Sequence, residues 1–222
     1  MSIRFDCSEP TQRSRGITRA AQAVSAGELV VLPTDTVYGI GCDAFSPPGV
    51  ADLLVAKGRG RAMPPPVLVP SLRTLGGLAS QVSPEVRALA ERFWPGALTV
   101  VCRAQPTLDW DLGDLDDTVA VRMPLHPVAL ELLDRTGPMA VSSANLSGRP
   151  AATSYAEAQE QLGDEVAVYL DAGPSPGNVP STIVDGTAEV PRVLRLGALS
   201  LAELREVVPE LLGPGEHAEA PE

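Results

Sequence analysis

Residues 29–41 read Leu29-Val30-Val31-Leu32-Pro33-Thr34-Asp35-Thr36-Val37-Tyr38-Gly39-Ile40-Gly41, an apolar run followed by a segment rich in hydroxyl groups. Four consecutive apolar residues predict a short strand that is buried on both faces. A proline cannot donate to a sheet ladder, so the strand is predicted to stop at Pro33. The polar residues that follow predict a turn region.

Helices are predicted on both sides of this strand. Residues 11–26 have the spacing of an amphipathic helix that ends at Gly27, and residues 47–56 predict a second helix. Further helices are predicted at 84–93, 126–135, 154–161 and 200–212, and further strands at 67–69, 97–103, 118–122, 139–141, 166–170, 181–184 and 192–196. Because helices and strands are interleaved with no linker, we predict a single α/β domain with a twisted, mixed, open sheet flanked by helices.

Polar side chains recur where the predicted strands end. They are Thr34, Thr36, Arg122, Ser143, Asn145 and Arg195. In open α/β sheets the strand ends line the ligand crevice, so a concave crevice is expected there. We place the domain at residues 1–212 and expect the polar residues 213–222 to form a disordered tail.

The residues after the second helix, Lys57-Gly58-Arg59-Gly60-Arg61, form the strongest cationic cluster in a chain of net charge -11. Lys57 is the single lysine of the sequence. Glycines between the cations let backbone N–H groups approach a ligand closely, which is typical of a phosphate site. A solvated loop with charges at its tip explains the local pattern equally well.

Composition excludes several other classes of site. The three cysteines, Cys7, Cys42 and Cys102, are far apart and predict neither a disulfide framework nor a metal site. With two histidines in the chain, a His-based metal site is not expected, and no metal ligand among the protein side chains is predicted. No apolar run approaches the ~20 residues of a membrane span, and residues 1–11 lack a secretory signal, which predicts a cytoplasmic protein. The acidic balance argues against strong RNA binding.

Nucleotide motifs of the common kinds are absent: the sequence has neither a P-loop nor a G-x-G-x-x-G turn. The run from Pro33 to Gly41 instead resembles the P-T-[DE]-T-x-Y-G-L-G signature of the YrdC-like family, the threonylcarbamoyl-AMP synthases. Other motifs of that family are matched, in chain order, by Lys57-Gly58-Arg59, Phe93-Trp94-Pro95-Gly96-Ala97-Leu98-Thr99, Val121-Arg122-Met123-Pro124, Ser143-Ala144-Asn145, Ser181-Thr182-Ile183-Val184-Asp185 and Leu194-Arg195-Leu196-Gly197. The resemblance extends from about residue 19 to residue 212 and is to the short, single-domain form.

The resemblance implies an enzyme that condenses L-threonine, bicarbonate or CO2 and ATP into L-threonylcarbamoyl-AMP and pyrophosphate. It implies Mg2+ bound through the ATP, and transient hand-over of the product to a tRNA threonylcarbamoyl-transferase complex. The chemistry requires a carbamate oxygen to attack the α-phosphate, so positioning and charge stabilisation should dominate.

The same resemblance implies the site residues. The expected catalytic residues are Lys57, Arg59, Ser143 and Asn145. The expected ATP-binding residues are Lys57, Arg59, Arg61, Met63, Thr118, Asn145, Thr153 and Arg195. The expected threonine-binding residues are Thr36, Leu68, Arg122, Ser143 and Ser181. For Arg61 a solvated arginine is an equal alternative, and for Arg122 the alternative is a structural salt bridge.

Two positions depart from the family pattern. Met63 stands where members often have Asn, and Leu68 where many have His. Both changes make the site wall more apolar, which leaves amino-acid specificity open. A non-catalytic RNA-binding module of the same fold is the main alternative function. A carbamoyltransferase of hydrogenase maturation contains a similar domain, but in a much longer chain.

Overall fold

The computed structural model describes residues 2–114 and 117–217 and consists of one α/β domain built on a mixed sheet. The strands are β1 (Ile3–Asp6), β2 (Val30–Leu32), β3 (Gly39–Asp43), β4 (Val67–Leu68), β5 (Ala79–Gln81), β6 (Leu98–Ala104), β7 (Thr118–Arg122), β8 (Met139–Ser143), β9 (Val168–Asp171), β10 (Thr182–Asp185) and β11 (Arg192–Arg195). The helices are α1 (Pro10–Ser25), α2 (Pro47–Ala56), α3 (Leu72–Leu78), α4 (Pro84–Phe93), α5 (Pro127–Thr136), α6 (Tyr155–Leu162) and α7 (Leu201–Arg205). The predicted fold class is confirmed.

The strand order across the sheet is β1-β9-β2-β3-β8-β4-β7-β6-β10-β11, with β5 paired to β6 at the side. Parallel pairs join β1 to β9, β2 to β9, β4 to β7 and β6 to β10. The pairs β2–β3, β3–β8, β4–β8, β6–β7 and β10–β11 are antiparallel. This mixture brings residues that are far apart in sequence to the centre of one sheet.

Two hydrophobic clusters cover opposite faces of the sheet. On one face α1 and α5 pack on β2, β9 and part of β8. On the other face α2, α3, α4, α6 and α7 bury the larger cluster. Each fully buried Leu or Ile side chain contributes about 1.5–3 kcal/mol, so the two clusters are the main source of stability.

Strands β6 and β7 alternate between these two faces. Leu98, Val100, Cys102, Val119 and Val121 join the larger helix-covered cluster. Because side chains alternate along a strand, Thr99, Val101, Ala120 and Arg122 point to the opposite face. There they line an open crevice, which continues the face that α1 and α5 cover elsewhere.

The start of β3 differs from the expected turn region. The strand begins at Gly39 and lies between β2 and β8. A Cβ atom on Gly39 would lie 2.7 Å from the side chain of Val141, and one on Gly41 would lie 2.6 Å from it. Glycine is therefore required at both positions for the strands to approach, and what looks like turn chemistry in the sequence is close packing.

The predicted closing helix at 200–212 is wrong in length, because the helix ends at Arg205. Pro209 lacks a backbone N–H and restricts the residue before it, which prevents a helix from continuing. The following residues instead bury Val208 and Leu211 and pair Leu212 with Arg192. Strands β1 and β5 are not predicted, since their residues are mostly exposed or half-buried and lack the apolar run that indicates β2.

The predicted tail at 213–222 lies partly outside the described residues, which end at 217. Within the described part, Glu216 accepts a hydrogen bond from the backbone N–H of Gly213 at 2.8 Å and pairs with Arg205. Residues 115 and 116, in the acidic stretch 109–117, also lie outside the described residues. In the part of the chain that the structure describes, no helix is both long and apolar enough to cross a membrane.

Candidate functional site

A crevice of about 370 Å³ lies over β6 and β7 and reaches β3, β4, β8, β10 and β11. Among the described residues that line it are three arginines, Arg59, Arg122 and Arg195, and no aspartate or glutamate. The rest of the lining is hydroxyl-bearing and apolar. Three arginines converging on one crevice, in a chain of net charge -11, make the crevice suited to small anionic ligands.

The crevice brings together part of the set that the sequence predicts. The predicted residues that line it are Thr36, Arg59, Leu68, Arg122, Ser143, Ser181 and Arg195. They come from four strands and three loops, which explains why no short motif contains them. Lys57, Arg61, Met63, Thr118, Asn145 and Thr153 are not among its lining residues.

Arg122, the last residue of β7, is 7% exposed and is held from three sides. Its Nε donates to the carbonyl of Gly96 at 3.0 Å, and its two terminal nitrogens donate to Thr36 Oγ1 at 2.9 Å and Asp35 Oδ1 at 2.7 Å. Burial lowers the pKa of Arg122 and Asp35 opposes that effect, but a guanidinium remains charged at neutral pH. Of its five N–H groups, one on each terminal nitrogen is left for a ligand such as a carboxylate.

Arg59 and Arg195 form a pair of cations in the crevice, separate from Arg122. Arg195 donates to the backbone carbonyl of Ser181 at 2.8 Å, and Arg59 donates to Ser142 Oγ at 3.0 Å. Partial burial lowers the pKa of Arg195, and the positive charge of Arg59 lowers it further, so the two guanidinium groups repel each other. The Nε of Arg59 is buried without a hydrogen-bond partner. An anion between them would relieve the repulsion and satisfy that donor.

Lys57 occupies a different position from the one expected. It caps α2, is 1% exposed, and its amine donates to the carbonyls of Ser143 and, at 2.7 Å, Asn145. The Lys57 carbonyl accepts from the N–H of Ser147 at 2.9 Å. Burial, aided by the charge of Arg59, lowers the pKa of the amine to about 7. Lys57 therefore holds the segment after β8 from behind the crevice wall, and its binding to phosphate stays a prediction.

Asn145 and Arg61 are also engaged within the protein. The amide of Asn145 donates to the carbonyls of Leu146 and Arg149, both at 2.8 Å, while its Oδ1 is buried and unpartnered. Arg61 pairs with Asp111 at 2.8 Å and Asp114 at 3.1 Å, so it is neither a free solvated arginine nor a free phosphate ligand in this conformation.

The three remaining predicted ATP contacts lie outside the crevice. Met63 is 49% exposed. Thr118 lines a separate cavity of about 610 Å³ beside β5 and β6. Thr153 bonds Glu157 through its N–H at 2.7 Å and lines a groove of about 700 Å³ that shares Ala151 and Pro180 with the crevice. A ligand would have to extend over that shared wall to reach Thr153.

Sequence reasoning missed three residues that organise the crevice. Asp35 pairs with Arg122, Ser142 bonds Arg59, and Thr99 bonds Ser181. A buried arginine is commonly paired with an acid, and Asp35 stands next to the predicted site residue Thr36, so the sequence did indicate this partner. Ser142 and Thr99 give no such signal, because hydroxyl residues are ordinary in strands.

Comparison with known proteins agrees with this geometry. The Sua5/YciO/YrdC family model, described as "Telomere recombination", matches residues 22–197. A Mycobacterium tuberculosis protein, provisionally named as a threonylcarbamoyl-AMP synthase, is 58% identical over 208 residues, or 94% of this chain and 96% of the relative. The threonylcarbamoyl-AMP synthase of Pyrococcus abyssi is 38% identical over 193 residues, 86% of this chain but 57% of that protein.

A solved structure has the same fold over the whole chain. The crystal structure of Pyrococcus abyssi Sua5 complexed with L-threonine superposes with a TM-score of 0.89 and 35% identity, covering 100% of this chain and 66% of that one. The structure of Escherichia coli YciO superposes with a TM-score of 0.78 at 25% identity, covering 90% of this chain and 98% of that one.

Proposed function

The chain belongs to the Sua5/YciO/YrdC family, and from that premise we propose that it synthesises L-threonylcarbamoyl-AMP from L-threonine, bicarbonate or CO2 and ATP, releasing pyrophosphate. The proposal rests on one crevice, which contains the buried Arg122 with two free donors and, in addition, the pair Arg59 and Arg195. One substrate brings a carboxylate and the other a triphosphate, which matches these two groups of cations.

The reaction places few covalent demands on the protein. Addition of the threonine amine to CO2 gives a carbamate, whose oxygen attacks the α-phosphate while pyrophosphate leaves. Arg122 would hold the threonine carboxylate, with Thr36, Ser143 and Ser181 supplying hydroxyl groups. Arg59 and Arg195 would stabilise negative charge on the phosphates. A cation about 4 Å from a phosphate oxygen contributes about 4 kcal/mol at an effective dielectric near 20, more than a neutral hydrogen bond at about 1 kcal/mol.

We propose that Lys57 and Asn145 act indirectly, by fixing the segment at the end of β8 that contains Ser143. Ser143 lines the crevice, and its carbonyl is bound by the Lys57 amine. A fixed Ser143 hydroxyl is a pre-organised donor, which is where hydrogen bonds contribute most to catalysis. Their expected direct contact with ATP, like that of Arg61, Met63, Thr118 and Thr153, stays a prediction.

We propose that Mg2+ arrives bound to ATP. Across residues 2–114 and 117–217, His, Cys, Asp and Glu side chains do not gather in any group of three that would hold a metal ion. The carboxylate nearest the proposed threonine site, Asp35, is already paired with Arg122. The phosphate oxygens would then be the ligands of the ion, which neutralises part of their charge.

The product would serve tRNA modification, passing transiently to a transferase complex that acts on tRNA. The alternative of a non-catalytic RNA-binding module is not favoured. A polyanion needs many cations along its backbone, whereas the cations here converge in a crevice of about 370 Å³. The crevice suits a small anionic ligand rather than an extended strand.

The proposed function is tested by pyrophosphate release from the purified full chain. We expect release that requires ATP, L-threonine and bicarbonate together, and loss of the signal when any one is withheld. L-serine in place of L-threonine measures specificity at the apolar wall that includes Leu68. Failure of the complete mixture to release pyrophosphate, together with RNA binding that depends on Arg59, would favour the RNA-binding alternative.

Replacing Arg59 with alanine is expected to weaken ATP binding by about thirtyfold, or roughly 2 kcal/mol, because a charge-assisted contact to phosphate is lost. L-threonine binding should change by less than about threefold, since Arg122 is untouched. Isothermal titration of the variant with each ligand measures both effects. The exposed Arg87 of α4, replaced with alanine, is the matched control and should alter neither. Equal losses for ATP and L-threonine would contradict the division of the crevice.

A further inference from the structure

We propose that Thr99 is a further residue of the amino-acid site, which positions the Ser181 hydroxyl so that the pair presents one O–H donor to the substrate carboxylate. This inference rests on the proposed function of the crevice and adds a residue to it. Thr99 lies on β6, is 1% exposed and lines the crevice. Ser181 lies just before β10, the parallel neighbour of β6, and lines the same crevice.

The two hydroxyl groups are joined directly. Thr99 Oγ1 lies 2.8 Å from Ser181 Oγ, a normal length for a hydroxyl pair, and either oxygen can be the donor. The geometry is imposed by the backbone, because Ile183 pairs with Thr99 in the parallel ladder and the N–H of Thr182 donates to the carbonyl of Ala97 at 3.0 Å. Thr99 is thus held within a strand, and Ser181 is held directly before one.

Arg195 limits what the pair can do with its protons. One of its terminal nitrogens donates to the Ser181 carbonyl at 2.8 Å and lies 3.4 Å from Ser181 Oγ. An arginine has donors and no acceptor, so it cannot take a proton from either hydroxyl. The pair has two protons, and one of them is used in the bond between Thr99 and Ser181.

The second proton is available to a ligand. If Thr99 donates to Ser181, the Ser181 proton is free, and if Ser181 donates, the Thr99 proton is free. Both residues line the crevice, and the structure gives neither hydroxyl another acceptor within the described residues. A buried hydroxyl pair with one unassigned proton, beside positively charged groups, is suited to an anionic oxygen.

The anion is best assigned as a carboxylate. Arg122 and Arg195 line the same crevice, and the positive charge of Arg195 contributes to lowering the pKa of Arg122. Arg122 has two unused N–H groups, one on each terminal nitrogen, and a guanidinium is the side chain best suited to a carboxylate. The hydroxyl pair would supply a third donor to the same group.

The test uses Thr99→Val, which keeps the volume and removes the hydroxyl, and Thr99→Ser, which restores it. Titration of the full chain with L-threonine should give about fivefold weaker binding for Thr99→Val and binding within about twofold of wild type for Thr99→Ser. ATP affinity should stay within about twofold in both variants. Thr18→Val, in α1 on the other part of the domain, is the matched control.

A double-mutant cycle then asks whether Thr99 acts with Ser181. Adding Thr99→Val to Ser181→Ala should cause much less than the fivefold loss that it causes alone, because the shared bond is already gone. Unchanged L-threonine affinity in Thr99→Val, or a loss confined to ATP, would overturn the inference while the proposed function stands. If the wild-type chain binds no L-threonine, the proposed function fails and the inference fails with it.

Discussion

Replacing Arg122 with alanine is expected to weaken L-threonine binding by about a hundredfold, or roughly 3 kcal/mol, while ATP binding changes by less than about threefold. The expected loss is large because Arg122 is buried, fixed at three points and left with two unused donors. A ligand carboxylate that loses both donors is left desolvated in the crevice without compensation. Titration of the folded variant with each ligand measures the loss of L-threonine affinity relative to the loss of ATP affinity.

The ion pair of Arg122 with Asp35 has to be separated from ligand binding in this experiment. Both side chains are largely buried, at 8% and 11% exposure, so alanine leaves the Asp35 carboxylate unpaired and should also cost about 3 kcal/mol of unfolding free energy. Arg122→Lys keeps a cation beside Asp35 but lacks the fork of donors. We expect it to retain more stability than the alanine variant and still to lose about tenfold in L-threonine affinity.

The result that would contradict this assignment is an alanine variant that folds and binds L-threonine as tightly as wild type. Arg122 would then serve only as the partner of Asp35, which is the structural alternative that its sequence position leaves open. In the structure the two roles are compatible, because the ion pair uses one of the five N–H groups of the guanidinium.

The fold was predictable wherever local patterns and tertiary packing agree. The alternation in β6 and β7 and the end of α2 at Ala56 follow from side-chain periodicity and capping. Prediction failed where tertiary pairing overrides local chemistry. Gly39 and Gly41 look like turn residues, but they serve close packing of β3 against Val141.

The types of residue in the site were predictable, but the directions in which their side chains point were less so. Lys57 and Arg59 are two positions apart in one motif, yet the structure gives them different surroundings. The Arg59 side chain lines the crevice, whereas the Lys57 amine turns to backbone carbonyls more than eighty residues away. Carbonyl directions depend on the path of a distant segment, and no side-chain pattern records them. The same limit explains why Ser142 and Thr99 were missed.

Replacing Lys57 with methionine is expected to destabilise the domain by about 3 kcal/mol and to lower turnover by about a hundredfold. Methionine fills the buried volume but donates no hydrogen bond, so the carbonyls of Ser143 and Asn145 lose the amine between them. An unpartnered buried acceptor costs about 1–3 kcal/mol. The activity loss follows because the hydroxyl of Ser143 is no longer held in the crevice wall.

Arg61, in the same cationic cluster at residues 57–61, supplies a matched control for Lys57→Met. Arg61→Met removes the ion pairs with Asp111 and Asp114, but the Arg61 side chain is 55% exposed, so solvent screens these pairs and little stability should be lost. Denaturant unfolding and pyrophosphate release are measured for both variants. If Lys57→Met keeps its stability and its L-threonine affinity and loses only ATP affinity, Lys57 acts directly on phosphate.

The pH dependence of stability gives an independent measurement of the same amine. Burial lowers the pKa of Lys57 to about 7 in the folded chain, whereas an unfolded lysine titrates near 10.4. Between these values the unfolded state binds more protons at this residue, so the contribution of Lys57 to stability, taken as the difference between wild type and Lys57→Met, should rise with pH by about 1.5 kcal/mol from pH 7 to 8.5. Above that range the opposite trend is expected, because burial raises the pKa values of Cys7, Cys42 and Cys102 to about 11, 12 and 11. Lys57→Met should abolish the rise between pH 7 and 8.5 and leave the decline above it. A Lys57 amine that was exposed to solvent and free to bind phosphate would keep an ordinary pKa and would not produce this pattern.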